Sequence, residues 1–318
     1  MTSADKTPAS SVQFIEIEDE SAGQRIDNFL LTKLKGAPKT LIYRILRKGE
    51  VRVNKGRIKP PYRLVSGDII RIPPIRLPEP KEQPDVGKGL TQVLEQAILF
   101  ENEQLLVINK PSGLAVHGGS GISLGLIEAL RQIRPDAKFL ELVHRLDRDT
   151  SGAVMIAKKR STLKALHEDL RQGRISKIYQ ALVIGHWSKR QQKIDAPLKK
   201  NELQSGERVV RVDTEGKASI TEFRLMETYQ HCSLVEAKPI TGRTHQIRVH
   251  TLFAGHPIIG DPKYGDEQIN RDMKRQGVKR LFLHAAELRL RLPGNNDRLI
   301  IKAPLETSLQ NALKQLRG

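Results

Sequence analysis

Residues 75–93 carry Pro78, Pro80, Pro84, Gly87 and Gly89 among charged side chains, and this stretch constrains the fold more than any other. Proline fixes its own backbone torsion and lacks the amide proton that a helix or sheet needs. Glycine leaves the backbone loose. The stretch therefore reads as a linker that divides the chain into a short first part and a long second part. Residues 1–20 are rich in Ser, Thr, Asp and Glu and read as a flexible tail. The expected organisation is a tail over 1–20, a small domain over 21–76, a linker over 77–92 and a second domain over 93–318.

The small domain shows two helical periods. Ile26, Phe29, Leu30 and Leu34 recur at helical spacing between Arg25, Asp27 and Lys33, and Gly36 ends the run. Pro38 suits the first turn of a second helix, which carries Leu41, Ile42, Ile45 and Leu46 on one face and stops at Gly49. Val51-Arg52-Val53 and Gly56-Arg57-Ile58 then flank Asn54-Lys55, a tight hairpin signal. Gly67-Asp68 turns into a short strand, Ile69 to Ile72.

Charge is concentrated here. The whole chain has a formal net charge of +18, and residues 22–74 hold 13 Lys/Arg against 3 Asp/Glu. Arg44, Arg47, Lys48, Arg52, Lys55, Arg57 and Lys59 cluster about the second helix and the hairpin. A solvated helix face would carry balancing acids, and too few are present. A concentrated cationic face suits a phosphate backbone.

Other classes are excluded more simply. The sequence has no apolar run long enough to cross a membrane, and its polar N-terminus is not a secretory signal. The lone cysteine, Cys232, excludes an internal disulfide and a thiol-based metal site, and a reducing cytoplasm is the simplest compartment.

Arg25-Ile26-Asp27, Tyr43 to Gly49, Val51 to Asn54 and Gly67-Asp68 together resemble an S4 RNA-binding domain. The resemblance implies that the second helix and the turn after it lie against RNA. It makes Arg44, Arg47, Lys48, Arg52 and Lys55 the candidate RNA-binding residues.

The long part reads as a mixed α+β domain. Its strand candidates are 105–108, 154–157, 179–184, 233–237 and 299–301, with helices over 124–134 and 161–172 between them. Four stretches could carry chemistry. Asn109 to Gly113, with His117-Gly118-Gly119-Ser120-Gly121 after it, is either a surface loop or a phosphate cradle, and it is not a P-loop. His144-Arg145-Leu146-Asp147-Arg148-Asp149-Thr150-Ser151-Gly152 packs both charge signs where the chain leaves a strand. It is either an ion-pair loop or a site. One His and two Asp make a poor metal set, and Ser151 lacks the context of a hydrolase nucleophile. Tyr179, within Lys177 to Val183, could be strand packing. Gly242 to His250 holds two Arg and two His, but His245 and His250 lie five apart and not at the spacing of a helical zinc pair. Arg with Thr and Gln suits phosphate or carboxylate recognition.

These four stretches, with Gly260-Asp261, Tyr264-Gly265 and Leu283-His284-Ala285, resemble the successive motifs of the RluA family of pseudouridine synthases. The resemblance implies a catalytic domain with a mixed, mainly antiparallel central sheet flanked by helices. It implies an isomerase that converts uridine to pseudouridine in 23S ribosomal RNA or its precursor. Several sites are expected, some near the peptidyl transferase centre. Uracil must leave the ribose, rotate and rejoin through C5, so no redox partner, group donor or other cofactor is expected.

By the same resemblance Asp147 is the catalytic carboxylate, Arg248 its charge partner, and Tyr179 the ring that stacks on the target base. Arg145 enters the RNA stack as the uridine leaves it, which offsets part of a flipping cost of a few kcal/mol. Lys177 and His245 are candidate supporting groups for phosphate or scaffold. A monomer without membrane attachment is the expected form.

Overall fold

A computed structural model describes residues 11–34, 36–75, 84–118, 124–202 and 208–317. The chain divides into two compact units, Met1–Gln83 and Pro84–Gly318. The expected loop residues Gly119, Ser120 and Gly121 lie outside the described residues, as do 1–10 of the tail, residue 76 at the end of the small domain and 77–83 of the linker.

The first unit runs β1 (Gln13–Glu16), α1 (Ile26–Lys33), α2 (Lys39–Arg47), β2 (Arg52–Val53), β3 (Gly56–Arg57) and β4 (Ile69–Ile72). Its sheet has the order β1-β4-β2-β3. Both helices press the predicted apolar faces inward, with Ile26, Leu30, Ile42, Ile45 and Leu46 buried against Val51, Ile70 and Ile72. Asn54 and Lys55 turn the hairpin with φ of 48° and 66°, the left-handed pair that matches strand twist. Buried Asp68 locks that turn, accepting from Asn54 Nδ2 at 2.8 Å, Tyr62 Oη at 3.0 Å and Val65 N at 2.8 Å.

The flexible tail over 1–20 needs correction. Residues 13–16 form β1, antiparallel to β4 with Ile15 opposite Ile70. Ile17 is buried in the unit's core. Polar neighbours hid a short Phe14-Ile15-Glu16-Ile17 alternation that the edge of β4 captures.

The second unit opens with α3 (Lys88–Gln96), β5 (Ile98–Glu101), β6 (Leu105–Lys110), α4 (Leu126–Ile133), β7 (Glu141–Leu142) and β8 (Ser151–Ala157). It continues with α5 (Arg160–Arg171), β9 (Ser176–Ile184), β10 (Lys193–Asp195), β11 (Leu198–Glu202), β12 (Arg208–Val212), β13 (Ile220–Thr228) and β14 (Cys232–Pro239). It ends with α6 (Gln246–Phe253), α7 (Glu267–Arg275), β15 (Leu283–Arg291), β16 (Arg298–Lys302) and α8 (Thr307–Arg317). The linker over 77–92 is also corrected. The unit already begins at Pro84, and α3 buries Leu94 in the main core. Gly87 takes the N-cap position, outside the helical torsions, and Gly89 falls in the first turn, where a helix tolerates it.

The central sheet has the order β10-β13-β14-β9-β15-β8-β6-β5, with β16 on β15 and β7 on β8. Among the described residues only β15 and β8 pair in parallel, so the sheet is mixed and mainly antiparallel, as expected. One core holds Ile108, Val154, Ala181, Ala237 and Leu283 together with α4. A second packs α7 and α8 against Leu182, Leu234 and Phe282. The parallel contact requires Gly152. Its φ is 111°, and a Cβ there would lie 2.3–2.7 Å from the backbone of Ala285.

Candidate active site and nucleic-acid interface

Asp147 sits in the loop between β7 and β8, and that loop is tied down from several sides. Gly113 N donates to Arg148 O at 2.9 Å, and Ser112 Oγ donates to Asp149 O at 2.7 Å. Lys110, fully buried, donates to the carbonyls of Pro111 at 2.8 Å, Leu114 at 2.7 Å and Arg148 at 3.0 Å. Burial lowers its ammonium pKa to about 7. The segment Asn109 to Gly113 is thus a buttress beneath the Asp147 loop, not a phosphate cradle. His144 braces the other side, with Nε2 accepting from Met155 N at 3.2 Å. Burial drops its pKa to about 3, so the ring is neutral.

Arg248 comes from α6 and approaches Asp147 from the opposite wall, Nη1 to Oδ2 at 3.4 Å. Its main partner is Asp261, which sequence reasoning did not assign. Arg248 Nε donates to Asp261 Oδ2 and Nη2 to Oδ1, both at 2.7 Å, and the Asp261 side chain is 0% exposed. Asp261 also accepts from the backbone amides of Lys263 at 2.9 Å and Tyr264 at 3.0 Å. Gly260 permits this turn, since at φ 76° a Cβ would lie 2.1 Å from Arg280 O. Desolvation alone would lower the pKa of the Arg248 guanidinium, but the bonds and charge of Asp261 outweigh it and the net shift is upward. Desolvation likewise acts to raise Asp261, and Arg248 carries it below the usual carboxylate range. Arg248 is therefore a fixed cation with one face left for Asp147.

His245 precedes α6 in the left-handed region, φ 54°. Its Nε2 is 3.8 Å from Asp147 Oδ2, and its Nδ1 is 2.8 Å from Tyr264 Oη. Tyr264 Oη also accepts from Val210 N at 3.0 Å, and a phenol proton donated within this cluster would go to His245 Nδ1. A neutral His245 then carries its own proton on Nε2, toward Asp147. Burial lowers the His245 pKa against the pull of Asp147. Gln246 staples this loop to β13, donating to Ile220 O at 2.9 Å and Thr221 Oγ1 at 3.0 Å. The other histidine of the motif, His250, bonds Thr221 and Ala196 in the interior and does not face the site.

Tyr179 projects from β9 and is 7% exposed. Its cross-strand neighbours are Ala237 and Ala285, small residues that leave room beside a ring. Burial, then the charge of Asp147, push the phenol pKa up, so it is a protonated phenol at neutral pH. Lys177, two residues earlier on the same face, is desolvated and its pKa lowered. Arg145, Asp147, Lys177, Tyr179, His245 and Arg248 all line one cavity of about 630 Å³. That volume suits a small ligand. The loop, β9 and α6 meet there from separate parts of the sequence.

The sequence-predicted cations of the first unit are all exposed: Arg44, Arg47, Lys48, Arg52 and Lys55. Among the described residues no carboxylate pairs with Arg44, Arg47 or Lys55, while Lys48 lies 4.0 Å from Glu50. Arg52 bonds the carbonyls of Gly49 at 3.3 Å and Lys55 at 3.5 Å, which stiffens the hairpin. No helix among the described residues is long and apolar enough to cross a membrane.

Comparison with known proteins gives the chain its family. Residues 104–252 match a model of RNA pseudouridylate synthase, and residues 24–70 match the S4 domain. The chain is 57% identical over 315 residues to "Ribosomal large subunit pseudouridine synthase C" of Pasteurella multocida, covering 98% of this chain and 96% of that protein. The chain belongs to the RNA pseudouridylate synthase family. The synthase is also 55% identical to the protein of the same name from Escherichia coli, over 98% of this chain and 99% of that one. Among solved structures, "Human RNA Pseudouridylate Synthase Domain Containing 4" superposes with a TM-score of 0.60 at 28% identity, over 72% of this chain and 96% of that chain. The synthase is an RNA-modifying isomerase with an N-terminal S4 domain.

Proposed function

We propose that this synthase isomerises uridines in large-subunit (23S) ribosomal RNA or its precursor, with Asp147 acting on a uridine flipped out of the RNA. The observation that carries this reading is that Asp147, Tyr179 and Arg248, from three separate motifs, line one cavity. The names of the relatives support ribosomal RNA as the substrate.

The chemistry needs a carboxylate held ionised in a confined space. Arg248 supplies a cation at 3.4 Å, and Asp261 keeps that cation aimed. The glycosidic bond breaks, uracil turns, C1′ bonds to C5 and the C5 proton leaves. A base held against the Tyr179 ring can turn while staying covered. The protonated phenol is not itself a base at rest. Arg145, exposed at the cavity rim, can fill the gap in the RNA stack. Lys177 and the His245 Nε2 proton are positioned for a phosphate or a uracil oxygen. The exposed S4 cations Arg44, Arg47, Lys48, Arg52 and Lys55 draw in the RNA backbone.

The test uses protein-free ribosomal RNA tritiated at uracil C5. Isomerisation releases tritium to water with no cofactor added. Asp147→Asn should abolish release and leave RNA binding intact. No release by the unsubstituted protein from any large-subunit fragment sinks the reading.

A further inference from the structure

On the β15–β16 hairpin, Arg291 stands directly opposite Arg298. Both are exposed, and among the described residues neither side chain has a hydrogen bond or an ion pair. Like charges in register across a strand pair repel, so the hairpin carries a standing cost. Arg289, two residues earlier and on the same side, is held by Glu287. Arg174 comes in from beyond α5, its Nε donating to Asp169 Oδ1 at 2.7 Å. These four arginines line a cavity of about 520 Å³ in which Asp169 is the only carboxylate among the described residues, with Leu290, Leu292 and Pro293 between them.

The cavity adjoins the active site. Ser176, the first residue of β9, lines this cavity, the Asp147 cavity and a third one that also contains Arg289 and Arg298. Tyr179 lies three residues along the same strand, about 10 Å away. Alternation turns the Ser176 and Tyr179 side chains to opposite faces of β9, so a chain leaving the Asp147 cavity reaches the arginine surface by passing Ser176 at the start of the strand.

We infer that this surface takes the phosphodiester backbone of the substrate RNA where it runs on from the target uridine. The inference rests on the function proposed above. Planar guanidiniums grouped around a shallow, partly apolar floor suit phosphate oxygens, which two arginines can clamp at once. A polyanion lying there also removes the Arg291–Arg298 repulsion. The free protein thus holds a charge conflict that the bound RNA resolves.

The test compares Arg291→Gln/Arg298→Gln with the unsubstituted full chain for binding of a 23S RNA fragment across a salt series. Two lost phosphate contacts should lower the slope of log affinity against log salt by about 1.4–1.8. KM should rise while kcat holds, because the cavity lining around Asp147 is untouched. The melting temperature of the free variant should rise by about 1–3 °C as the repulsion disappears. Arg291→Lys keeps the charge and should keep the slope. An unchanged slope and affinity in the double glutamine variant overturns the inference, whatever its melting temperature. Binding is read without turnover, so a failure of tritium release strikes the proposed function and leaves this comparison to be decided on its own.

Discussion

Asp261 holds Arg248 by two parallel bonds of 2.7 Å, and this pair sets the direction of the third guanidinium nitrogen toward Asp147. Both partners are buried. Breaking such a pair leaves an uncompensated charge and costs about 3–5 kcal/mol. Asp261→Asn should therefore lower the denaturant midpoint and cut kcat at least tenfold, with RNA affinity little changed. The decisive measurement is a double-mutant cycle with Arg248→Gln on kcat. Additive losses would mean that Asp261 does not act through Arg248.

Tyr179 is surrounded by strand and cavity, and burial pushes its phenol well above the ordinary value. It should remain protonated through pH 10. Difference absorbance near 295 nm between the synthase and Tyr179→Phe, followed with pH, reads this directly. A phenolate signal assigned to Tyr179 below pH 9 would show that the ring is a ready base, contrary to its environment. Tyr179→Ala also removes a core side chain and should cost about 3–5 kcal/mol.

Much of the catalytic unit was legible because its strands advertise themselves. Leu105 to Ile108 and Val154 to Ala157 are buried on both faces and read as short apolar runs. β13 was not legible: it alternates, with Arg224 and Glu222 on its open side and Phe223 inward. α6 was hidden for a different reason. Gln246, Arg248 and His250 are all buried, so the helix has no polar face for periodicity to find. β1 was lost in the composition of the tail around it. At the site, Asp147, Tyr179 and Arg248 could be named from their motifs, but Asp261 could not be given its role. Gly260-Asp261 has the look of any turn, and only the fold brings it to Arg248.

His144 gives the synthase a predictable acid limb. Its folded pKa is depressed to about 3 from an ordinary 6.5, so the unfolded chain binds a proton that the folded chain refuses. Stability should be unaffected by this group above pH 6.5 and be lost progressively as pH falls from 6.5 toward 3. The slope contributed is at most about 1.4 kcal/mol per pH unit. His144→Asn can still accept from Met155 N and does not titrate. Its stability should fall less steeply over that window in urea titrations. Parallel curves for the two proteins would count against a neutral His144.

Arg44, Arg47 and Lys55 are exposed and free of carboxylates among the described residues, which makes the S4 face easy to neutralise without touching the core. Arg44→Gln/Arg47→Gln/Lys55→Gln should lower the salt slope of RNA binding by about 2–3. Each change should alter stability by less than about 0.5 kcal/mol. Tritium release at saturating RNA should be kept. A slope equal to that of the unsubstituted chain would remove these residues from the RNA path.

Gly152 tests whether the parallel β8–β15 contact positions the Asp147 loop. A methyl group there meets the Ala285 backbone at 2.3–2.7 Å, and φ of 111° strains any side chain. Backbone cannot swing aside as a side chain can, so the two strands must separate. Separation also threatens the bond between Ser151 Oγ and His284 Nδ1, 2.9 Å long, which ties the same two strands one residue away. The loop that carries Asp147 ends at Ser151, so movement of β8 shifts the carboxylate from Arg248. Gly152→Ala is therefore expected to destabilise by at least 2–3 kcal/mol and to lower kcat more than it raises KM. Ser151→Ala loses only the side-chain bonds to His284 and Arg280 and should retain most activity. If Gly152→Ala unfolds at a lower denaturant concentration yet turns over at the normal rate when folded, the contact stabilises the unit without positioning Asp147.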